Sequence, residues 1–405
     1  LRRINRMFSI TTRQYNDETP SNFEPQILKE NEFISYPKAL QPPRTIEPSL
    51  RSFYYGKYDE RLVLNLRNIE VAAFNPDTGT FMTVVYSSQK NFKLVQGGKE
   101  ADHPTGFFAR PNSMIIHDRI CYIQGDVRIK AFDTVTLECI DTMHIRDDII
   151  RRSALAIWND KIVVGFEHFL YFYPLSDDSA KPKKLNQLEK RYSDFAQRNG
   201  MELRLVDWTS GRSRQKKYDI VDNQITNITC LLSLGDYLVV ASETYPVMHL
   251  YNENGEIISR LIGHTMGISC LYPYKDGSNM VFSGSLDSTI KLWSVELGVA
   301  QISFLDNSER ITSLATAEIL NHTFLFSGAR SSIIHVWDVD SKKPTFEIDV
   351  THDFYPSLMN FVPDDSGLTI IASAKQDNAD PSHIFDVPSH EDQIQIFRFT
   401  HEKSE

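Results

Sequence analysis

A four-residue pattern, apolar–polar–apolar–aromatic, recurs along this chain. Ile290-Lys291-Leu292-Trp293, Ile334-His335-Val336-Trp337, Met248-His249-Leu250-Tyr251 and Ile394-Gln395-Ile396-Phe397 are the clearest copies. Ile129-Lys130-Ala131-Phe132, Leu170-Tyr171-Phe172-Tyr173 and Phe92-Lys93-Leu94-Val95 are weaker ones, the last without its aromatic end. Alternation at period two reads as a short strand with one buried face and a large ring at its end. The seven copies end at 95, 132, 173, 251, 293, 337 and 397, spaced by 37, 41, 78, 42, 44 and 60 residues. Four of those six spacings lie near the ~40–45 residues of a four-stranded propeller blade. The two long ones call for insertions, placed at 176–218 and 375–391. A repeat explains 405 residues better than a string of unrelated domains.

Other strands fall into place around each copy. Ile268–Leu271 and Met280–Ser283 precede Trp293, and Ala300–Ser303 follows it. Ile311–Leu314 and Thr323–Ser327 precede Trp337, with Thr345–Ile348 after. Before Phe397 stand Tyr355–Leu358 and Leu368–Ser373, but little chain remains beyond it. The last unit therefore needs an outer strand from the N-terminal side, and Leu50–Tyr55 is the segment predicted to supply it. Such closure removes an open sheet edge, a liability for aggregation. The expected organisation is an extended arm or linker over 1–49, a propeller over 50–399 and a tail over 400–405.

At this point the chain resembles the WD-repeat family. Gly263-His264, Asp287 and Trp293 match that family's repeat, and Trp337-Asp338 is the dipeptide that names it. The resemblance is strongest over 263–340 and weakest over 62–175. It implies an all-β, seven-bladed WD-repeat β-propeller closed by an N-terminal strand. It further implies that His264, Ser283, Asp287 and Trp293 form one hydrogen-bonded structural set. A buried imidazole and carboxylate are costly unless paired, and a hydroxyl and an indole N–H complete the pairing. A Ser/His/Asp catalytic triad is the competing reading, but Ser283 falls inside a strand rather than on an exposed elbow. The next unit has Ser331 where Asp287 stands and no Gly-His before it, and the first four keep only the apolar pattern.

Chemistry elsewhere is sparse. Gly97-Gly98-Lys99 lacks the upstream glycine and following Ser or Thr of a phosphate loop and reads as a hairpin. His383, Asp386, His390, Glu391 and Asp392 cluster in a segment with Pro381 and Pro388, as a solvated loop does. Asn227-Ile228-Thr229 and Asn321-His322-Thr323 match the glycosylation pattern by coincidence. Cys121, Cys139, Cys230 and Cys270 show no C-x-x-C pairing, which suits reduced thiols in the cytoplasm. Cys230 and Cys270 occupy the same strand position in successive units and read as small buried packers. No apolar run approaches the ~18–20 residues of a membrane span. The expectation is no catalytic residue, no cofactor and no metal.

Charge is uneven. The net of −10 argues against nucleic acid or a membrane surface as partner of the whole molecule. Residues 181–217, however, hold eleven Lys or Arg against four Asp or Glu, leaving −17 for the rest. Leu185, Leu188, Tyr192 and Phe195 space as one helical stripe ending near Gly200, with Lys184, Lys190, Arg191 and Arg198 opposite. Arg212, Arg214, Lys216 and Lys217 follow. This helical basic insert, placed after the third blade, either packs on the propeller with a solvated face or docks an acidic partner: an acidic peptide, anionic lipid or RNA. ETPSNFEPQIL and LQPPR are similar to the segment joining a BEACH domain to the propeller after it, which implies a larger parent protein.

The expected function is a non-catalytic scaffold for other proteins or peptides. Partners of the family often sit on loops between one blade's outer strand and the next blade's inner strand. Here those loops hold Met266, Leu286, Arg310, Arg330, Asp353, Phe354 and Tyr355. The alternatives are the C-terminal propeller of a membrane-trafficking protein of BEACH type, a ubiquitin-ligase substrate receptor, and a propeller enzyme. Trp337-Asp338-Val339-Asp340 carries an acid where the receptor pattern Trp-Asp-x-Arg has Arg.

Overall fold

The computed structural model describes residues 32–35, 60–67, 69–75, 80–88, 91–96, 99–104, 113–125, 128–144, 153–166, 169–175, 204–206, 215–219, 227–252, 257–275, 277–305, 309–319, 322–350, 354–364, 367–376 and 391–400. The chain divides into two units, Leu1–Glu30 and Asn31–Glu405, and every described residue lies in the second.

Seven sheets succeed one another along the described residues. The first joins Ile69–Asn75, Thr80–Ser88, Asn91–Gln96 and Lys99–Pro104. The second joins Ser113–His117, Ile120–Gln124, Arg128–Asp133 and Cys139–His144. The third holds Ala154–Trp158, Lys161–Phe166, Phe169–Pro174 and Gln215–Asp219, with Arg204–Val206 at its edge. The fourth holds Ile228–Leu234, Tyr237–Ser242, Tyr245–Tyr251 and Ile257–Leu261. Ile268–Pro273, Met280–Ser285, Thr289–Ser294 and Val299–Leu305 make the fifth. Ile311–Ile319, His322–Ala329, Ile333–Asp338 and Lys343–Asp349 make the sixth. The seventh is Phe354–Asp364, Gly367–Gln376 and Glu391–Thr400, completed by Glu60–Arg67. Every copy of the tetrapeptide falls in the third strand of its sheet.

Short hairpins keep consecutive strands adjacent, as between Gln96 and Lys99, which pair across the Gly97-Gly98 connection. The first strand of each sheet then lies beside the first strand of the next, from Ile69–Asn75 through to Phe354–Asp364. Glu60–Arg67 of the seventh sheet in turn lies beside Thr80–Ser88 of the first. Antiparallel four-stranded sheets stacked side by side in chain order are the construction of a β-propeller.

The core sits between sheets. Ala73 and Met82 of the first cluster with Ile123 and Phe132 of the second. Tyr122 and Ile129 of the second join Leu155 and Tyr173 of the third, and Val163 and Leu170 join Leu238 and Tyr251 of the fourth. Leu250 and Leu261 pack against Ile268, Val281 and Trp293 of the fifth. Phe282 and Phe304 then meet Leu314 and Trp337 of the sixth, Phe304 standing edge-on to Trp337 at 5.3 Å. Spacing is close enough that a Cβ at Gly284 would strike Ile311, and one at Gly165 would strike Ile228. At roughly 25 cal/mol per Å² of apolar surface buried, these seams dominate stability.

Because neighbouring sheets cover them on both sides, the third strands of the second, fourth, fifth and sixth sheets are buried on both faces. The sequence pattern had implied one. Lys130, His249, Lys291 and His335, the polar second residues of their tetrapeptides, are all buried. Lys291 manages this by donating from Nζ to Ser303 Oγ at 2.7 Å, and burial pulls its pKa down, as it does for Lys130.

Three further expectations change. The closing strand is Glu60–Arg67, not Leu50–Tyr55, which lies outside the described residues. Its leucines at 62, 64 and 66 alternate over eight residues, giving the sustained register with Glu391–Arg398 that LRSFYY is too short to offer. The basic segment interrupts the third sheet rather than following it. Gln215–Asp219, with Lys216 and Lys217 inside it, pairs with Phe169–Tyr171 as the sheet's fourth strand. Finally, the N-terminal arm is not wholly a linker: Glu32–Ser35 adds a parallel fifth strand outside Val299–Leu305, with Ile34 buried in the fifth–sixth core. The helical stripe 185–200, Lys184, Lys190, Arg191, Arg198, Arg212 and Arg214 lie outside the described residues. So do the BEACH-like pieces, His383, Asp386 and His390, while Glu391 and Asp392 open the strand Glu391–Thr400.

Candidate functional site

The loops entering and crossing the fifth sheet are built on buried polar groups. His264 precedes the first strand with its imidazole fully inaccessible. Its Nδ1 faces Asp287 Oδ2 at 2.9 Å, and its Nε2 faces Ser283 Oγ at 2.7 Å. Trp293 Nε1–H donates to the same hydroxyl at 2.8 Å. One consistent assignment has Nδ1–H donating to the carboxylate and the serine hydroxyl donating to Nε2, which keeps the imidazole neutral. Asp287 also accepts the Thr265 amide at 2.9 Å and, on Oδ1, the Thr289 amide and hydroxyl at 2.9 and 2.6 Å.

The electrostatics follow from this. Burial lowers the pKa of His264, against the opposing hydrogen bond and charge of Asp287. For Asp287, burial alone would raise the pKa. The hydrogen bond and charge from His264, with Thr289 and Thr265, outweigh it and hold the carboxyl well below the usual range. Ser283 is fully buried and its hydroxyl is shared between an imidazole and an indole. It has no face to offer a substrate, so the Ser/His/Asp arrangement is a brace and not a triad.

Above that brace lies a rim. Gly267 O accepts the Leu286 amide at 2.9 Å and the Ser285 hydroxyl at 2.8 Å, tying the entry loop to the turn between second and third strands. A side chain at Gly267 would collide with the Glu243 carbonyl of the fourth sheet, so that seam is closed as tightly as backbone allows. The sixth sheet repeats the tie, with the Arg330 amide donating to Arg310 O at 3.1 Å. A hydroxyl stitches the inner strands: Ser269 Oγ lies 2.6 Å from Ile311 O and 3.0 Å from Gly284 O. On this rim Met266, Arg310 and Arg330 are exposed and Leu286 is half-buried. Phe354 and Tyr355 open the first strand of the seventh sheet, and Asp353 lies outside the described residues.

The cysteines are free thiols. Cys230 is buried in the fourth sheet with Sγ 3.2 Å from Ser269 O of the fifth, and burial pushes it up to about 12. Burial raises Cys121 and Cys270 as well, so these thiols pack rather than react. Thr265 and Thr289, which complete the shell of Asp287, are functional-site residues that sequence reasoning missed. Thr265 follows His264 directly and Thr289 lies two places after Asp287, the spacing of an Asx-type turn.

Comparison with known proteins matches this site to a known repeat. The model for the WD domain, G-beta repeat, matches residues 255–294, which contain the whole brace. A coronin-like protein of Schizosaccharomyces pombe is 31% identical over 25% of this chain and 16% of its own length. The U5 small nuclear ribonucleoprotein 40 kDa protein of Homo sapiens is 34% identical over 15% of this chain and 20% of its own. Cell division control protein 4 of Saccharomyces cerevisiae is 21% identical over 51% of this chain and 27% of its own. The chain thus spans about a quarter or less of these relatives. A matched repeat, the stacked four-stranded sheets and the His264–Asp287–Ser283–Trp293 brace agree: the chain carries a WD repeat over 255–294 and is similar to WD-repeat proteins.

Proposed function

We propose that the chain is a non-catalytic scaffold that holds a partner protein or peptide on the rim of its fifth and sixth sheets. The observation that carries this reading is a pair of exposed arginines and an exposed methionine on loops whose backbones are tied down from below. Rigid loops lose little entropy on binding, and Arg is enriched among interface anchors. The relatives, which carry the same kind of repeat in proteins of dissimilar name, support a general interaction role. Free thiols suit work in the reducing cytoplasm. Among the described residues, no helix is long and apolar enough to cross a membrane.

Charge reversal tests the reading. In the pair Arg310→Glu and Arg330→Glu, association with proteins co-purifying with the intact chain should fall roughly tenfold or more while the fold is retained. Unchanged association would remove the rim from consideration. The basic segment is the second place an acidic partner would dock, and its test must spare Gln215–Asp219, which the third sheet needs. Replacing 181–203 alone by a short Gly-Ser linker keeps that strand and separates the two surfaces.

A further inference from the structure

At the other end of the sixth sheet three metal-ligating side chains converge. His322 opens the second strand, Asp338 closes the third, and Asp340 sits in the turn beyond. One ligand atom from each lies within 4.8 Å of the others. The ladder brings them together: Phe324 pairs with Asp338, and the Val339 amide donates to Thr323 O at 2.9 Å. Asp338 is fully buried, with Oδ1 accepting the Ser341 amide at 2.9 Å. Asp340 is fixed by the Thr323 amide at 2.6 Å and the Tyr274 hydroxyl at 3.2 Å.

The informative atom is His322 Nδ1. It is shielded from solvent, forms no hydrogen bond with any described residue, and stands 3.3 Å from Asp338 Oδ2. The two are close enough to attract as an ion pair, but their geometry is not that of a directed hydrogen bond. Ligand atoms held 2.0–2.1 Å from one tetrahedral zinc stand roughly 3.3 Å apart, the separation of His322 Nδ1 from Asp338 Oδ2, and the Asp340 oxygen lies within 4.8 Å of both. Two carboxylates and an imidazole favour a divalent cation of the zinc or manganese class. The Lys275 ammonium does not fill that role, being engaged by Glu318 at 2.9 Å. Each Asp340 oxygen has a second lone pair, so its present hydrogen bonds also orient it for a metal.

We infer that His322, Asp338 and Asp340 form a divalent-cation site that clamps the second and third strands of the sixth sheet, with Asp340 and the fourth coordination position toward solvent. It lies away from the rim and does not depend on the scaffold reading.

The test is calorimetric titration of the full chain, stripped with a chelator, with zinc chloride alone and then manganese chloride alone. One equivalent should bind, and saturating cation should raise the melting temperature. His322→Gln, at a half-buried position, should leave the circular dichroism unchanged and abolish both effects. Asp340→Asn should weaken binding roughly tenfold or more. Should Asp338→Asn fail to fold, His322→Gln still decides the matter. Absence of stoichiometric binding to the stripped protein overturns the site, as does binding that survives His322→Gln with equal affinity.

Discussion

The fifth and sixth sheets carry the same tetrapeptide pattern and the same indole-to-serine bond, yet they place their remaining polar groups at opposite ends. In the fifth, Ser283 receives Trp293 at 2.8 Å, and His264 with Asp287 extends the chain of bonds to the rim. In the sixth, Ser327 receives Trp337 at 3.1 Å, but Ser331 stands where Asp287 would be. Its histidine and carboxylates gather instead at His322, Asp338 and Asp340. Both tryptophans are nonetheless fully buried, and both rims are closed by an equivalent backbone bond. The aromatic seam therefore holds a sheet against its neighbours, while the His–Asp pair fixes one loop above it.

That division makes the largest expected effect the one the two sheets share. Trp293→Ala and Trp337→Ala should each cost about 3–5 kcal/mol by cavity formation, read by chemical unfolding. A large disparity between them would show that the polar set, not the seam, anchors the fifth sheet. The next effect should separate the sheets. Asp287→Ala strips partners from His264, Thr265 and Thr289 and should cost about 2–3 kcal/mol. Ser331→Ala should change stability by less than about 0.5 kcal/mol. Equal costs would erase the contrast.

A smaller effect comes from pH. The pKa of His264 is held below its ordinary value of 6.5 in the folded state. The unfolded chain therefore takes up a proton that the folded chain refuses, and stability is present above pH 6.5 and lost as pH falls below it. Asp287 acts in the same direction below its ordinary 3.8. The His264 contribution should steepen the loss by up to about 1.4 kcal/mol per pH unit, and His264→Gln should flatten the curve between pH 6.5 and 5. Parallel curves for the two proteins would contradict the neutral, buried imidazole.

Much of the ring was legible because a strand's period and a blade's length are both local properties of sequence. Ile290–Trp293 and its copies declare themselves by alternation and by a large terminal ring. The brace was legible through resemblance: Gly263-His264, Asp287 and Trp293 match the WD-repeat pattern, which implies the set His264, Ser283, Asp287 and Trp293. What was hidden depends on distant pairing. Glu32–Ser35 meets Val299–Leu305 across most of the chain, and no local signal marks four residues as a parallel edge. Gln215–Asp219 reads as a basic run because QKKYD carries little apolar pattern, and its place comes from the open edge of Phe169–Pro174. The pattern IKLW reads as a strand with one buried face, and nothing in it shows that a neighbouring sheet covers Lys291 on the other. His322 and Asp340 were read separately, one inside a glycosylation pattern and one as a wrong charge. Only the ladder register sets them side by side.

Whether the rim rather than the opposite end receives partners can be read from a photo-crosslinking residue placed at Met266, at Arg330 and at Leu297. Leu297 is exposed in the turn between the third and fourth strands of the fifth sheet, away from the rim. A common crosslinked protein should come from positions 266 and 330 and none from 297. The same adduct from 297, or adducts from 297 alone, would contradict docking at the rim.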